Sequence, residues 1–350
     1  VAKYTATAAI IWAIASYAGD SIPQEDPCMK AIRVNVPGGP EALSYEDVPE
    51  PTLGPNDALV RLEAMGVNFI DVYHRTGRYP IDPPFTLGME GAGVVEAVGP
   101  DVIDLDPGDR VASANERGSY AELQALPADR LVKVPDTVDL RTAAAAVLQG
   151  ATAHYLTVST FPLQAGQTAL VHAAAGGAGR LVVQMAKMAG AKVIATAGTA
   201  EKVEIALSAG ADHAINYTAV DFLEEVQRLT DGIGVDVVYD GVGQATFDRG
   251  LDALKPRGMM VLFGAASGPV PAMDPQTLNV KGSLFLTRPT LVAYAATREE
   301  LDWRVSTVLR WVADGSLDIR IHGEYALEDV AQAHIDLESR ATSGKLLLIP

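Results

Sequence analysis

The spacing of apolar residues changes character partway along the chain. Between Met29 and about Asp139 the apolar positions fall into short runs separated by turn residues. A run from Val34 to Pro40 ends in Pro-Gly-Gly-Pro, Ala58 to Ala64 alternates with period two, and Gly91 to Val98 and Arg110 to Ala114 are bounded by Gly, Pro and Asp. Alternation and turn punctuation of this kind predict an irregular β-rich domain.

From about Thr142 onward, helical and strand periods alternate. Thr168 to His172 reads as a strand, Arg180 to Ala189 as a helix stopped by Gly190, Lys192 to Ala197 as a strand, and Ala200 to Ala209 as a helix stopped by Gly210. The series continues with the strand Ala214 to Tyr217, the helix Asp221 to Thr230, the strand Val235 to Asp240, the helix Thr246 to Leu254 and the strand Met259 to Gly264. After Gly282 one more strand-like run leads to a long helix over Arg298 to Ala313 and a second over Leu327 to Glu338. Such alternation places crossover helices between parallel strands.

Residues 1–28 stand apart. Tyr4 to Ala18 is apolar and rich in small residues, yet too short and too interrupted by Thr and Ser to span a bilayer, which takes about 20 apolar residues. Two readings stay open: a secretory hydrophobic stretch behind Lys3, with Ser16 and Ala18 as poor cleavage-site residues, or a leader or upstream extension ahead of a natural start at Met29.

Length and charge narrow the function classes. The 350 residues accommodate two domains, at roughly 150 residues each. With 27 basic against 44 acidic residues, the net charge of -17 would repel a phosphate backbone, which argues against nucleic acid as the main partner. Cys28 is the only cysteine, so there is no intramolecular disulfide framework and no metal site built from several thiolates. His74, His154, His172, His213, His322 and His334 are scattered, with no pair at one-turn helical spacing.

The first strand of the alternating half runs directly into Ala173-Ala174-Ala175-Gly176-Gly177-Ala178-Gly179, followed by a helix. Ala173, Gly176 and Gly179 fit an A-x-x-G-x-x-G variant of the dinucleotide fingerprint, in which the three positions serve the tight turn, the approach of backbone to pyrophosphate and helix-to-strand packing. The strand–turn–helix context is what that motif requires, and the helix N-terminus adds backbone N–H donors and a partial positive charge. An NAD site places an acid about 20 residues further on, but here the second strand ends in Gly198-Thr199-Ala200-Glu201-Lys202, with no acid at its tip. Thr199 and Lys202 suit a 2′-phosphate, so NADPH is the expected cofactor.

Several segments in order carry a family resemblance: His172 to Gly179, Asn68-Phe69-Ile70-Asp71-Val72-Tyr73, Gly77-Arg78-Tyr79-Pro80, Tyr239-Asp240-Gly241-Val242-Gly243 and Glu338-Ser339-Arg340-Ala341-Thr342-Ser343-Gly344. From Met29 to Pro350 the chain resembles the zinc-free quinone oxidoreductases, the zeta-crystallin-like branch of the medium-chain dehydrogenase/reductase superfamily. The resemblance implies an α/β fold: a GroES-like β-rich catalytic domain plus a Rossmann doubly wound parallel-sheet domain. The implied division is catalytic domain 29–150, NADPH-binding domain 151–281 and a C-terminal return to the catalytic domain over 282–350.

By residue, the resemblance implies Asn68, Phe69 and Tyr73 beside the nicotinamide, with Thr152 and Tyr155 near the ribose and ring. It puts Gly177 and Ala178 at the pyrophosphate, Gly198, Thr199 and Lys202 at the 2′-phosphate, and Tyr217 over the adenine side. Phe263, Gly264, Leu286, Thr287, Arg288 and Arg340 complete the implied contacts. Gly241 stands where relatives can carry serine, so a hydroxyl contact there is missing. Read singly, Tyr217 and Phe263 serve equally as core aromatics, Arg340 as a solvated charge and Asn68 as a turn residue.

Zinc-dependent relatives use an early thiolate and the histidine of a Gly-His-Glu segment. Here Asn68 stands in place of the cysteine and Met89 in place of the histidine, and neither is a suitable zinc ligand. Without a Lewis acid, a simple alcohol or ketone is hard to polarise. An already electrophilic quinone, or a conjugated carbonyl, is therefore the expected substrate, taking hydride or stepwise electrons from NADPH. Tyr73, Tyr79 and the Asn68 amide are the candidate donors to its developing oxyanion. Two alternatives remain: an enone or enoyl-thioester reductase on the same scaffold, and an NADPH-binding structural protein of the crystallin kind. The resemblance also implies a cytoplasmic homodimer.

Overall fold

The computed structural model describes residues 27–350. The expected extension over 1–28 lies outside them, apart from Pro27 and Cys28. The first half contains β1 (Cys28–Val34), β2 (Leu43–Pro49), β3 (Asp57–Val67), α1 (Phe69–Arg75), β4 (Phe85–Thr86), β5 (Glu90–Val98), β6 (Arg110–Ala114), β7 (Leu123–Pro127) and β8 (Leu131–Lys133). Then α2 (Leu140–Tyr155) leads, through a π-helical turn, into β9 (Thr168–Val171), α3 (Gly177–Met188), β10 (Lys192–Ala197), α4 (Ala200–Ser208), β11 (His213–Asn216) and α5 (Phe222–Leu229). The chain continues with β12 (Val235–Asp240), α6 (Phe247–Asp252), β13 (Leu254–Leu262), α7 (Gln276–Val280) and β14 (Phe285–Thr287). It closes with α8 (Leu291–Tyr294), α9 (Arg298–Ala313), β15 (Ile321–Ala326), α10 (Val330–Glu338) and β16 (Lys345–Ile349).

The second half forms a six-stranded parallel sheet in the order β11-β10-β9-β12-β13-β14. Counted from β9, this is the 3-2-1-4-5-6 order of a doubly wound dinucleotide fold, with its switch point between β9 and β12. Its central strands are buried on both faces, so they read as continuous apolar runs. Helices stop at Gly190 and Gly210, which adopt φ of 78° and 103°. The first half is built on a mainly antiparallel sheet, β15-β16-β3-β5-β6-β8 with β7 also paired to β3, and a small sheet β2-β1-β4.

Four sequence expectations shift. The strand expected from Val34 ends there instead, because Pro37 and Pro40 have no N–H to give a ladder and Gly38 and Gly39 no side chain to pack, and β1 pairs as a hairpin with β2. The helix expected to reach Leu254 stops at Asp252, and Leu254 already belongs to β13. α2 is one continuous helix across the expected 150/151 boundary; its alanine-rich surface is buried against β3, β5 and β6 on one side and α3 and α9 on the other, which weakens the amphipathic signal. The return to the first sheet also comes later than residue 282, since β14 extends the parallel sheet and only β15 and β16 rejoin β3.

Candidate functional site

A cleft of about 500 Å³ opens between the two sheets, beyond the ends of β9, β10 and β12. Its floor on one side is the start of α1. β3 runs through Gly66 and Val67 into Asn68, whose backbone N–H donates to Asp71 Oδ2 at 2.8 Å. The Asn68 carboxamide is held on every side: Nδ2 donates to Gly66 O at 3.1 Å and Glu90 Oε2 at 2.9 Å, while Oδ1 accepts from Lys345 Nζ at 2.7 Å and Gln149 Nε2 at 3.3 Å. Lys345 also pairs with Glu90, and Glu90 Oε1 accepts the Leu148 N–H at 2.6 Å. Both amide hydrogens of Asn68 are thus engaged in the interior. The expectation that they serve an oxyanion is not met in this arrangement; the Tyr73 and Tyr79 side chains, expected as donors beside it, also line the cleft.

Tyr73 and Tyr79 meet edge to face, ring centroids 5.3 Å apart, and the Arg78 guanidinium lies 4.5 Å from the Tyr73 centroid. Burial pushes the Tyr73 hydroxyl up from its ordinary value, although the Ala265 backbone and Arg78 pull it partly back. The phenol therefore stays protonated and able to donate at neutral pH. Beneath α1, burial pushes the Asp71 carboxyl up to about 7 despite hydrogen bonds from Tyr120 and the Asn68 backbone. Tyr155 reaches the cleft from the end of α2 and stacks on Tyr294.

The opposite side is the turn after β9. Ala173 adopts φ of 52°, the left-handed geometry of the tight turn. A Cβ on Gly179 would stand 2.4 Å from Ala173 O, so only glycine lets α3 approach the strand this closely. Gly176 caps α3, which presents its first N–H groups to the cleft. At the tip of β10, Thr199 caps α4 by accepting the Lys202 N–H at 3.2 Å, and Lys202 Nζ donates to Arg340 O. Partial burial lowers the Lys202 pKa from its ordinary value. Tyr217 leans over Gly198, where a Cβ would meet its hydroxyl at 2.6 Å, and is 48% exposed. A ring that open is not a core aromatic. The Phe263 ring takes the space a side chain on Gly241 would need, 2.9 Å from the Cβ position.

The turn geometry, the bare glycines and the position of Lys202 at the tip of β10 fit a dinucleotide carrying a 2′-phosphate. The cleft brings together Asn68, Phe69, Tyr73, Tyr79, Thr152 and Tyr155 with Ala173 and Gly176 to Gly179. Gly198, Thr199, Lys202, Tyr217, Gly241, Phe263, Gly264, Arg288 and Arg340 line it as well. Leu286 and Thr287 do not; they sit on the edge strand β14 and fall outside the lining. Sequence reasoning missed Gln149, Glu90 and Lys345. Gln149 lies one helical turn before Thr152, and that spacing is the signal that places both on one face. Among the described residues, no group of three or more His, Cys, Asp or Glu side chains is arranged to hold a metal ion, and no helix is long and apolar enough to cross a membrane.

Two family models match the chain: an alcohol dehydrogenase GroES-like domain over residues 54–136 and a zinc-binding dehydrogenase over residues 177–312. A quinone oxidoreductase of Pseudomonas aeruginosa is 43% identical over 323 residues, covering 92% of this chain and 99% of that protein. A 2-haloacrylate reductase of a Burkholderia species is 41% identical over 328 residues, covering 91% and 98%. The crystal structure of Escherichia coli quinone oxidoreductase complexed with NADPH superposes with a TM-score of 0.90 at 42% identity, covering 92% of this chain and all of that one.

Proposed function

Because this chain belongs to the quinone oxidoreductases of the medium-chain dehydrogenase/reductase superfamily, we propose that it is an NADPH-dependent reductase of quinones that works without zinc. The observation that carries this reading is the single cleft in which the turn after β9, Lys202 and the Tyr73–Tyr79 pair meet. NADPH is favoured over NADH because β10 ends without an acid and with a lysine in reach of a 2′-phosphate; a relative is also solved with NADPH.

Bound NADPH supplies a hydride from C4 of its nicotinamide. The chain does the rest. N–H groups at the start of α3 hold the pyrophosphate, Thr199 and Lys202 the 2′-phosphate, and Tyr217 the adenine. Asn68, Phe69 and Tyr155 orient the ring, and the Tyr73 and Tyr79 hydroxyls donate to the acceptor oxygen as negative charge collects there. Asn68 and Met89 occupy the positions where zinc-dependent relatives carry ligands; the Asn68 carboxamide is already saturated and Met89 is buried. The acceptor must then be electrophilic without help from a cation, as a quinone is.

A second reading keeps the chemistry and changes the acceptor. The relative named 2-haloacrylate reductase points to conjugated acids and, by extension, enones and enoyl thioesters. Steady-state turnover with benzoquinone, naphthoquinone, enone and 2-haloacrylate separates the two. Binding of NADPH with no turnover on any of them would instead make this a nucleotide-binding structural protein. A cytoplasmic homodimer belongs to the same proposal, supported by the family membership and by the cofactor's location inside cells.

A further inference from the structure

Asn68 is gripped from two directions that lie far apart in the chain. Lys345, only 1% exposed, enters from β16 and donates to Asn68 Oδ1 at 2.7 Å while pairing with the buried Glu90. An ammonium faces a carbonyl oxygen and never an amide N–H, so Lys345 and Glu90 together dictate which way the carboxamide points. Burying both charges yields little net stability compared with apolar residues of the same volume; what such a pair supplies is a fixed arrangement.

Gln149 arrives from α2. Its Nε2 donates to the same Asn68 oxygen at 3.3 Å, and its other end lies against the turn into α3, where a Cβ on Gly177 would stand 1.9 Å from Gln149 Oε1. One carboxamide therefore touches the floor of the ring end of the cleft and the glycine at its phosphate end.

We infer that Lys345 and Gln149 are positioning residues for NADPH: acting through Asn68, they set the spacing between the pyrophosphate turn and the nicotinamide floor. This rests on the reading of the cleft as an NADPH site. The consequence is confined to the nicotinamide half, because the 2′-phosphate end is built from Gly198, Thr199 and Lys202, none of which touches the Lys345–Asn68–Gln149 chain.

The test compares two ligands. NADPH spans both halves; 2′,5′-ADP fills only the adenine end. Lys345→Met alone strands the Glu90 carboxylate, so the usable variants are Gln149→Leu and the doubly neutral Glu90→Gln/Lys345→Met. Fluorescence titration should show NADPH weakened about tenfold in each, the effect of losing one or two hydrogen bonds, with 2′,5′-ADP changed about twofold or less. The deuterium isotope effect with 4-deuterated NADPH should also change, which a loss of fold stability alone would not produce. Equal weakening of both ligands, or no weakening of either, overturns the inference while leaving the cofactor site intact. A wild-type chain that binds neither ligand overturns the cofactor reading together with it.

Discussion

Tyr155 and Tyr294 stack face to face, ring centroids 4.6 Å apart and planes 7° from parallel. Tyr155 lines the cleft and is 2% exposed, and burial pushes its hydroxyl well above the ordinary phenol value. Tyr294 is itself held from behind: Arg304 Nε donates to its carbonyl oxygen at 2.5 Å, and the guanidinium lies 5.5 Å from its ring centroid. Removing the outer ring unsupports the inner one. Tyr294→Ala should lower stability by about 2–4 kcal/mol, a partly buried aromatic lost together with its stacking term. Chemical denaturation reads the loss, and weaker NADPH binding should accompany it.

Lys202 lines the cleft at the tip of β10 and is the cation proposed for the 2′-phosphate. Charge-assisted hydrogen bonds contribute roughly 1.5–3 kcal/mol, so Lys202→Ala should weaken NADPH by roughly 10- to 150-fold at about 1.4 kcal/mol per decade. NADH affinity should barely change. Parallel titrations of the two dinucleotides decide it, and an equal loss for both would remove Lys202 from the 2′-phosphate.

Gly179 tests the turn. The Cβ of Gly179→Ala would meet Ala173 O at 2.4 Å and Ala174 Cα at 3.1 Å, both backbone atoms with no rotamer to escape into. Overpacking of this kind destabilises by about 1–3 kcal/mol. Because α3 must shift away from β9, its N-terminus moves off the position proposed for the pyrophosphate, and NADPH affinity should fall along with the melting temperature.

Asp71 makes stability depend on pH with an unusual sign. Its carboxyl is pushed up to about 7 in the folded protein, and Oδ1 has no hydrogen-bond partner among the described residues. The folded state therefore holds a proton that the unfolded chain releases near pH 4, and stability falls as pH rises from about 4 to about 7. His334, buried next to Arg75 and pushed down to about 3, acts oppositely: it stays neutral when folded, and stability is lost as pH falls from about 6.5 toward 3. Comparing wild type with Asp71→Asn isolates the first effect. The difference between the two unfolding free energies should grow in favour of Asp71→Asn as pH rises from about 4 to about 7 and level off above it, and a pH-independent difference would contradict the assignment.

Much of the parallel half was legible along the chain. The strands Lys192–Ala197 and Val235–Asp240 and the helix Arg298–Ala313 fall where the periodicity puts them, because glycine stops and caps mark their ends locally. The β-rich half was less legible; its strands are short, and the pairing of β1 with β2 depends on what the Pro-Gly-Gly-Pro turn forbids. Ala173 to Gly179 and Gly198 to Lys202 could be singled out because each is a contiguous segment at a strand end, and both line the cleft. The Lys345–Glu90–Asn68 cluster could not, since its members are separated by up to 277 positions and a lysine in a terminal strand carries no local sign of burial. Leu286 and Thr287 came from the resemblance alone, and β14 holds them outside the cleft lining.

The most direct measurement mixes the purified chain with NADPH in the presence of a strong chelator and follows nicotinamide absorbance as 1,4-benzoquinone is added. Saturable NADPH binding and stoichiometric oxidation, undiminished by exhaustive chelation, are expected. No saturable binding of either pyridine dinucleotide, or oxidation that appears only when zinc is restored, would contradict a metal-free NADPH cleft.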